Sequence, residues 1–148
     1  MATANITYRR EVFEEMGGFD DTMWLAEDIL FNWRLSKSGY SILFDPDVRV
    51  THLNRTGWRN VLGYQYGMGR MSAAARRKGG LPGSVLLRFP VLIALAPLAR
   101  VARAGRWLFE HDRRVFLKFL AISPMYLIAS TIWSIGFFEE AANSLHDA

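Results

Sequence analysis

The apolar and polar positions of this chain change period along its length. In residues 24–35 (Trp-Leu-Ala-Glu-Asp-Ile-Leu-Phe-Asn-Trp-Arg-Leu), Ile29 and Trp33 lie four apart and Leu30 and Arg34 form the next such pair. That spacing predicts a helix starting near Asp28. Gly39 provides a left-handed stop after it. Before this helix, Val12, Phe13 and Met16 predict a short helix over residues 8–16, with Thr7 as a candidate cap, ended by Gly17-Gly18. Residues 3–8 read as a strand or extended entry. After Gly39, residues 40–44 read as a strand, Asp45-Pro46-Asp47 as a turn, and the alternation over residues 48–52 as a second strand ending at His52.

Residues 53–78 are helical by period and basic by content. Arg55, Arg59, Arg70, Arg76, Arg77 and Lys78 meet no acid within the segment. Trp58, Leu62, Tyr66 and Gly69 recur at helical steps. The basic amphipathic pattern fits a membrane surface, and it fits equally a solvated basic face above a core stripe. No nucleic-acid recognition motif accompanies the charge, so no nucleic-acid partner is expected. A break at residues 79–83 precedes an apolar run over 85–99, interrupted by Pro90 and Pro97. At 1.5 Å per residue this run reaches about 22 Å, short of a hydrocarbon core of about 30 Å. A re-entrant or interfacial placement is expected. Residues 115–138 have the length to span, with Lys118 close enough to the start to snorkel.

Composition agrees with a soluble piece followed by a membrane-associated piece. The chain has 148 residues, 51% of them hydrophobic and 14% aromatic, and only 22% charged. That is more apolar than a small soluble domain requires. No cysteine is present, which excludes disulfides and thiolate metal sites. The formal charge is +4. Basic loops favour the cytoplasmic side. Residues 53–78 and 100–114 are therefore expected in the cytoplasm, with one crossing over 115–138 and the polar tail outside.

An ordered set of short motifs carries a resemblance. It comprises Ala4-Asn5-Ile6-Thr7-Tyr8-Arg9-Arg10-Glu11-Val12-Phe13, Gly17-Gly18-Phe19-Asp20, Glu27-Asp28, Arg34-Leu35, Gly39-Tyr40, Phe44-Asp45-Pro46 and Val50-Thr51-His52. Together they resemble the C-terminal half of the catalytic domain of an inverting family 2 glycosyltransferase of the GT-A type. The fold class this implies is α/β. Residues 1–52 would be a partial GT-A domain on the acceptor side, 53–80 a basic amphipathic segment, and 81–148 membrane-associated helices. The nucleotide-binding half, with its Asp-x-Asp metal motif, is expected to precede Ala4. Asp45-Pro46-Asp47 has that spacing but follows the acid pair, and it is read as a turn.

The resemblance assigns roles by position. Asp28 is the expected general base, where the residues alone leave a helix cap as the other reading. Glu27 is expected to bind acceptor or orient its loop, or else to be a surface acid. His52 is the expected ligand of a divalent metal, manganese or magnesium, against the plainer reading of a strand-end histidine. Asn5 is expected near substrate, or as a turn former. Gly17 and Gly18 are expected to shape the acceptor side while also stopping a helix. The implied partners are a nucleotide-sugar donor, a lipid or polysaccharide acceptor, the membrane, and a separate chain carrying the nucleotide-binding half. A non-catalytic membrane-associated interaction protein is the competing expectation. In either case the isolated chain is expected to be inactive.

Overall fold

The structure, a computed structural model, describes residues 5–53 and 56–146. Ala4 and Arg55 lie outside the described residues. The order is α1 (Arg10–Glu15), α2 (Glu27–Lys37), an irregular segment over residues 40–53, α3 (Trp58–Gly79), α4 (Val85–Arg88), a 3₁₀ turn (Pro90–Leu95), α5 (Ala96–His111) and α6 (Arg113–His146).

Helix α1 ends as its glycines require. Gly17 and Gly18 have φ of 75° and 67°. The Gly18 N–H donates to the Phe13 carbonyl and the Gly17 N–H to the Glu14 carbonyl, a Schellman pair. Its cap residue is Arg9, which makes no side-chain cap bond, so Thr7 does not serve as one. Tyr8, Phe13, Phe19 and Phe31 form an aromatic box with centroids 5.0–6.1 Å apart. It fixes α1 and the following loop against α2.

Helix α3 lies between two cores. Against α2 it buries Met71 and Ala75 with Met23, Ala26, Leu30 and Leu81. Against α6 it buries Ala73 with Ile93, Trp133, Phe137 and Ala141. The Trp33 indole donates to the Gly79 carbonyl at 2.8 Å, fastening α2 to the end of α3.

Two expectations meet a different structure here. No strand is present among the described residues. Residues 40–53 hold a turn at 46–47 and no regular element, and they are mostly exposed, Leu43, Phe44 and Leu53 by more than four-fifths. The alternation is real, yet a strand needs a ladder partner for its N–H and C=O groups. None lies beside it in the described chain.

The basic segment also differs from a free cationic face. The Arg70 and Arg77 guanidinium groups pair with Glu140 of α6 at 3.0 and 3.5 Å. Lys78 pairs with Asp20 at 2.7 Å, and that bond lowers the Asp20 carboxyl to about 2. Arg76 donates to the Ser72 and Pro82 carbonyls. These cations tie helices and loops together.

The C-terminal part is more helical than its charge pattern indicates. Residues 100–114, expected as a loop, are mostly α5. Asp112 alone links α5 to α6 and caps α6, its carboxylate accepting from the Arg114 and Val115 N–H groups at 3.0 Å each. Residues 85–99 break at Phe89, just before Pro90, into α4, the 3₁₀ turn and the start of α5. Helix α6 is long and apolar enough to cross a membrane by length and composition over Arg113–Asn143. Yet its far end packs on α3 through Trp133, Phe137 and Glu140.

Candidate functional site

The acid pair is set by an unusual turn. Ala26 has φ 62°, a left-handed conformation that costs an alanine about 1 kcal/mol or more. It is the residue that caps α2, and it makes no side-chain cap bond. Asp28 therefore is not the cap; it lies one residue inside the first turn. Glu27 and Asp28 together meet the positive end of the α2 dipole. Strained backbone of this kind is a pointer to function when observed beside charged groups.

The Asp28 carboxylate accepts from the Ile29 N–H at 2.7 Å. It also acts on Tyr8. Burial raises the Tyr8 phenol above its ordinary value, and the Asp28 charge adds to the rise. The Tyr8 hydroxyl donates to the Asn32 amide oxygen at 2.9 Å. On α2, Glu27 Oε2, Asn32 Nδ2 and Arg34 Nε are each buried without a hydrogen-bond partner. A fourth such atom among the described residues, Ser134 Oγ, lies on α6. Unsatisfied buried polar atoms are uncommon and need a reason. Here three of them share one helix with the acid pair.

Arg34 connects Gly17-Gly18 to this helix. Its Nη2 donates to the Gly18 carbonyl at 2.6 Å. The expected acceptor-side glycines and the acid-pair helix are thus joined. Asn5 is elsewhere engaged: its amide donates to the Val48 carbonyl at 2.8 Å, holding the entry segment beside the irregular one. His52 lies in the exposed irregular segment. Among the described residues no three histidine or acidic side chains converge on a possible metal position. His52 supplies at most one imidazole, and the described residues do not fit a complete divalent-cation site.

A groove of about 670 Å³ is lined by Trp24 and Leu25, which precede the acid pair in sequence, and by Thr56, Arg59, Asn60, Gly63 and Tyr64. Trp24 is 61% exposed although it sits just before a core turn. An open indole among amide, guanidinium and hydroxyl groups suits a ligand with both apolar and polar faces, as a sugar ring has. Sequence reasoning gave no site role to Trp24, Arg59, Asn60 or Tyr64. The available signal was a tryptophan four residues before the presumed base.

Local sequence similarity relates the chain to glycosyltransferases. It is 36% identical over 58 residues to the pre-mycofactocin glycosyltransferase of Mycobacterium tuberculosis, covering 39% of this chain and 12% of that protein. It is 38% identical over 52 residues to the O-antigen chain rhamnosyltransferase WbaN of Salmonella anatum, covering 35% of this chain and 16% of that one. The matches thus span less than a fifth of each relative's length. No family model matches the chain. No solved structure matches it.

Proposed function

We propose that this chain is the acceptor-side segment of an inverting glycosyltransferase of the family 2, GT-A type. Asp28 is its general base. In this reading Asp28 takes the proton of an acceptor hydroxyl as that oxygen bonds to the anomeric carbon of a nucleotide-sugar. The bond from that carbon to the diphosphate breaks on the opposite face, and the configuration inverts. A general base must come within hydrogen-bond reach of the hydroxyl it deprotonates. The observation that carries the reading is α2 itself: an acid pair behind a strained Ala26, with three unsatisfied buried polar atoms on the same helix.

The groove receives the acceptor in this proposal, a lipid-linked or polymeric sugar stacked on Trp24. Glu27 orients it. The nucleotide pocket comes from residues outside this segment, in a longer protein or a separate chain. The exposed alternating residues 43–53 then find their ladder partner in that α/β sheet. The competing reading is a non-catalytic membrane-associated interaction protein, and it draws on the long apolar helix α6.

A chimera separates the two. This chain's segment replaces the matched one in the pre-mycofactocin glycosyltransferase, and sugar transfer is followed. The expected result is retained transfer, lowered about 10²- to 10⁴-fold by Asp28→Asn, the usual worth of a general base. A folded chimera whose rate is unchanged by Asp28→Asn sinks the assignment.

A further inference from the structure

The two halves of α6 have different surroundings. Its first half packs on α5 through Phe116 and Phe119, with Gly105 of α5 admitting both rings. Phe109 meets Phe116 edge-on at 5.3 Å. Around the rest of that half, Val115, Leu117, Leu120, Ile122, Met125 and Ile128 are exposed. Leu95, Leu98, Trp107 and Phe109 extend this apolar surface onto α5 and the turn before it. Arg103, Arg114 and Lys118 are exposed on the same hairpin, as is Arg106, which pairs with Glu110 at 2.8 Å. So large an apolar surface rimmed by cations is the pattern of a helix pair at an anionic membrane.

The second half has one face covered by protein, while Ile135 and Phe138 stay exposed. Ser130, Trp133, Ser134, Phe137 and Ala141 are buried. Gly69 and Gly136 permit direct backbone contact between α3 and α6. Glu140 pairs with Arg70 and Arg77, and Tyr66 donates to Glu139. Helix α3 carries Arg70, Arg76, Arg77 and Lys78 and has no place in hydrocarbon. The end of α6 is therefore held in the aqueous body of the protein. Between Lys118 and Trp133, whose backbone lies against Gly69 of α3, residues 119–132 cover about 21 Å at 1.5 Å per residue. That falls short of a hydrocarbon core of about 30 Å.

We propose that the α5–α6 hairpin inserts into a single leaflet of an anionic bilayer, and that α6 does not cross it. The tail and the irregular segment then lie on the same face. The occupant of the apolar surface is the acyl region of that leaflet, and the hairpin arginines meet acidic headgroups. This stands independently of sugar transfer.

The chain has no cysteine, so Asp45→Cys and Asn143→Cys each create a sole thiol at an exposed position. Each variant is treated with a membrane-impermeant maleimide in sealed vesicles of either orientation, with detergent-opened vesicles as the control for reactivity. Both thiols labelling from the same face is the expected result. Labelling from opposite faces overturns the proposal. In parallel, the purified chain is mixed with phosphatidylcholine vesicles, with or without phosphatidylglycerol. Binding is expected to need phosphatidylglycerol and to weaken roughly fivefold for each of Arg103→Gln and Arg114→Gln, the worth of one basic residue at an anionic surface. Equal binding to both vesicles, or none to either, also overturns it.

Discussion

Asn32 is buried at 6% exposure, and its amide is only half satisfied. Its oxygen accepts from Tyr8, while its nitrogen has no partner. The cost of a buried polar group depends on whether its partner remains. Tyr8→Phe keeps the aromatic box but strands the Asn32 oxygen, and a loss of about 1–2 kcal/mol is expected. Adding Asn32→Leu removes both polar partners, and much of that loss should return. Denaturant unfolding of the single and double variants checks this. A Tyr8→Phe protein as stable as the parent would show that the bond contributes nothing. At this scale the acid pair was legible, because Glu27-Asp28 precedes a clear helical period. Its setting was not. Alanine carries no mark of a left-handed turn, so Ala26 was invisible and Asp28 was left open as the cap. The Tyr8–Asn32 bond joins residues 24 apart in sequence, a distance that no local pattern encodes.

Helices α3 and α6 meet backbone to backbone. A Cβ on Gly136 would lie 2.2 Å from the Tyr66 carbonyl oxygen, and one on Gly69 would lie 2.0 Å from that of Trp133. Neither neighbour is a flexible side-chain tip, so the helices must separate. Gly136→Ala is expected to destabilise by about 1–3 kcal/mol or more, the range of overpacked cores. Gly63 in α3 has nothing within 4 Å of its added Cβ. Gly63→Ala should therefore stabilise by up to about 1 kcal/mol through helix propensity. Thermal unfolding of the pair gives opposite signs if the close approach is real, and equal shifts if it is not. The periods of α2 and α3 and the apolar run in α6 could be read from the sequence. The pairing of Arg70 and Arg77 could not, because their acid lies 70 and 63 residues away. Without Glu140 in view, the basic pattern fitted a lipid-facing surface and a solvated basic face equally. The alternation over residues 48–52 was equally visible, but alternation specifies a face and not the neighbour that completes a ladder.

On the scale of the molecule, the chain divides its chemistry from its support. Acid pair, groove and aromatic box sit at one side of α3, and the apolar hairpin extends beyond α6 at the other. Transfer from a nucleotide-sugar needs a further part, a surface for base, ribose and diphosphate. Such surfaces are built where parallel strands end and backbone N–H groups gather. The described residues contain no strand, and no three potential ligands converge to hold a cation against the diphosphate charge. His52 alone gives a cation one imidazole, far from the several ligands a hard divalent ion requires. The 148-residue chain in detergent is therefore expected to give no manganese-dependent heat with a nucleotide-sugar in calorimetry, and His52→Ala should leave that null signal unchanged. A metal-dependent isotherm abolished by His52→Ala would mean that the irregular segment folds onto the acid pair when ligand arrives. The same signal unaffected by His52→Ala would place the cation on other residues. Either isotherm would make this chain a donor-binding unit in its own right, whereas a flat trace is the outcome that the proposed acceptor-side role predicts.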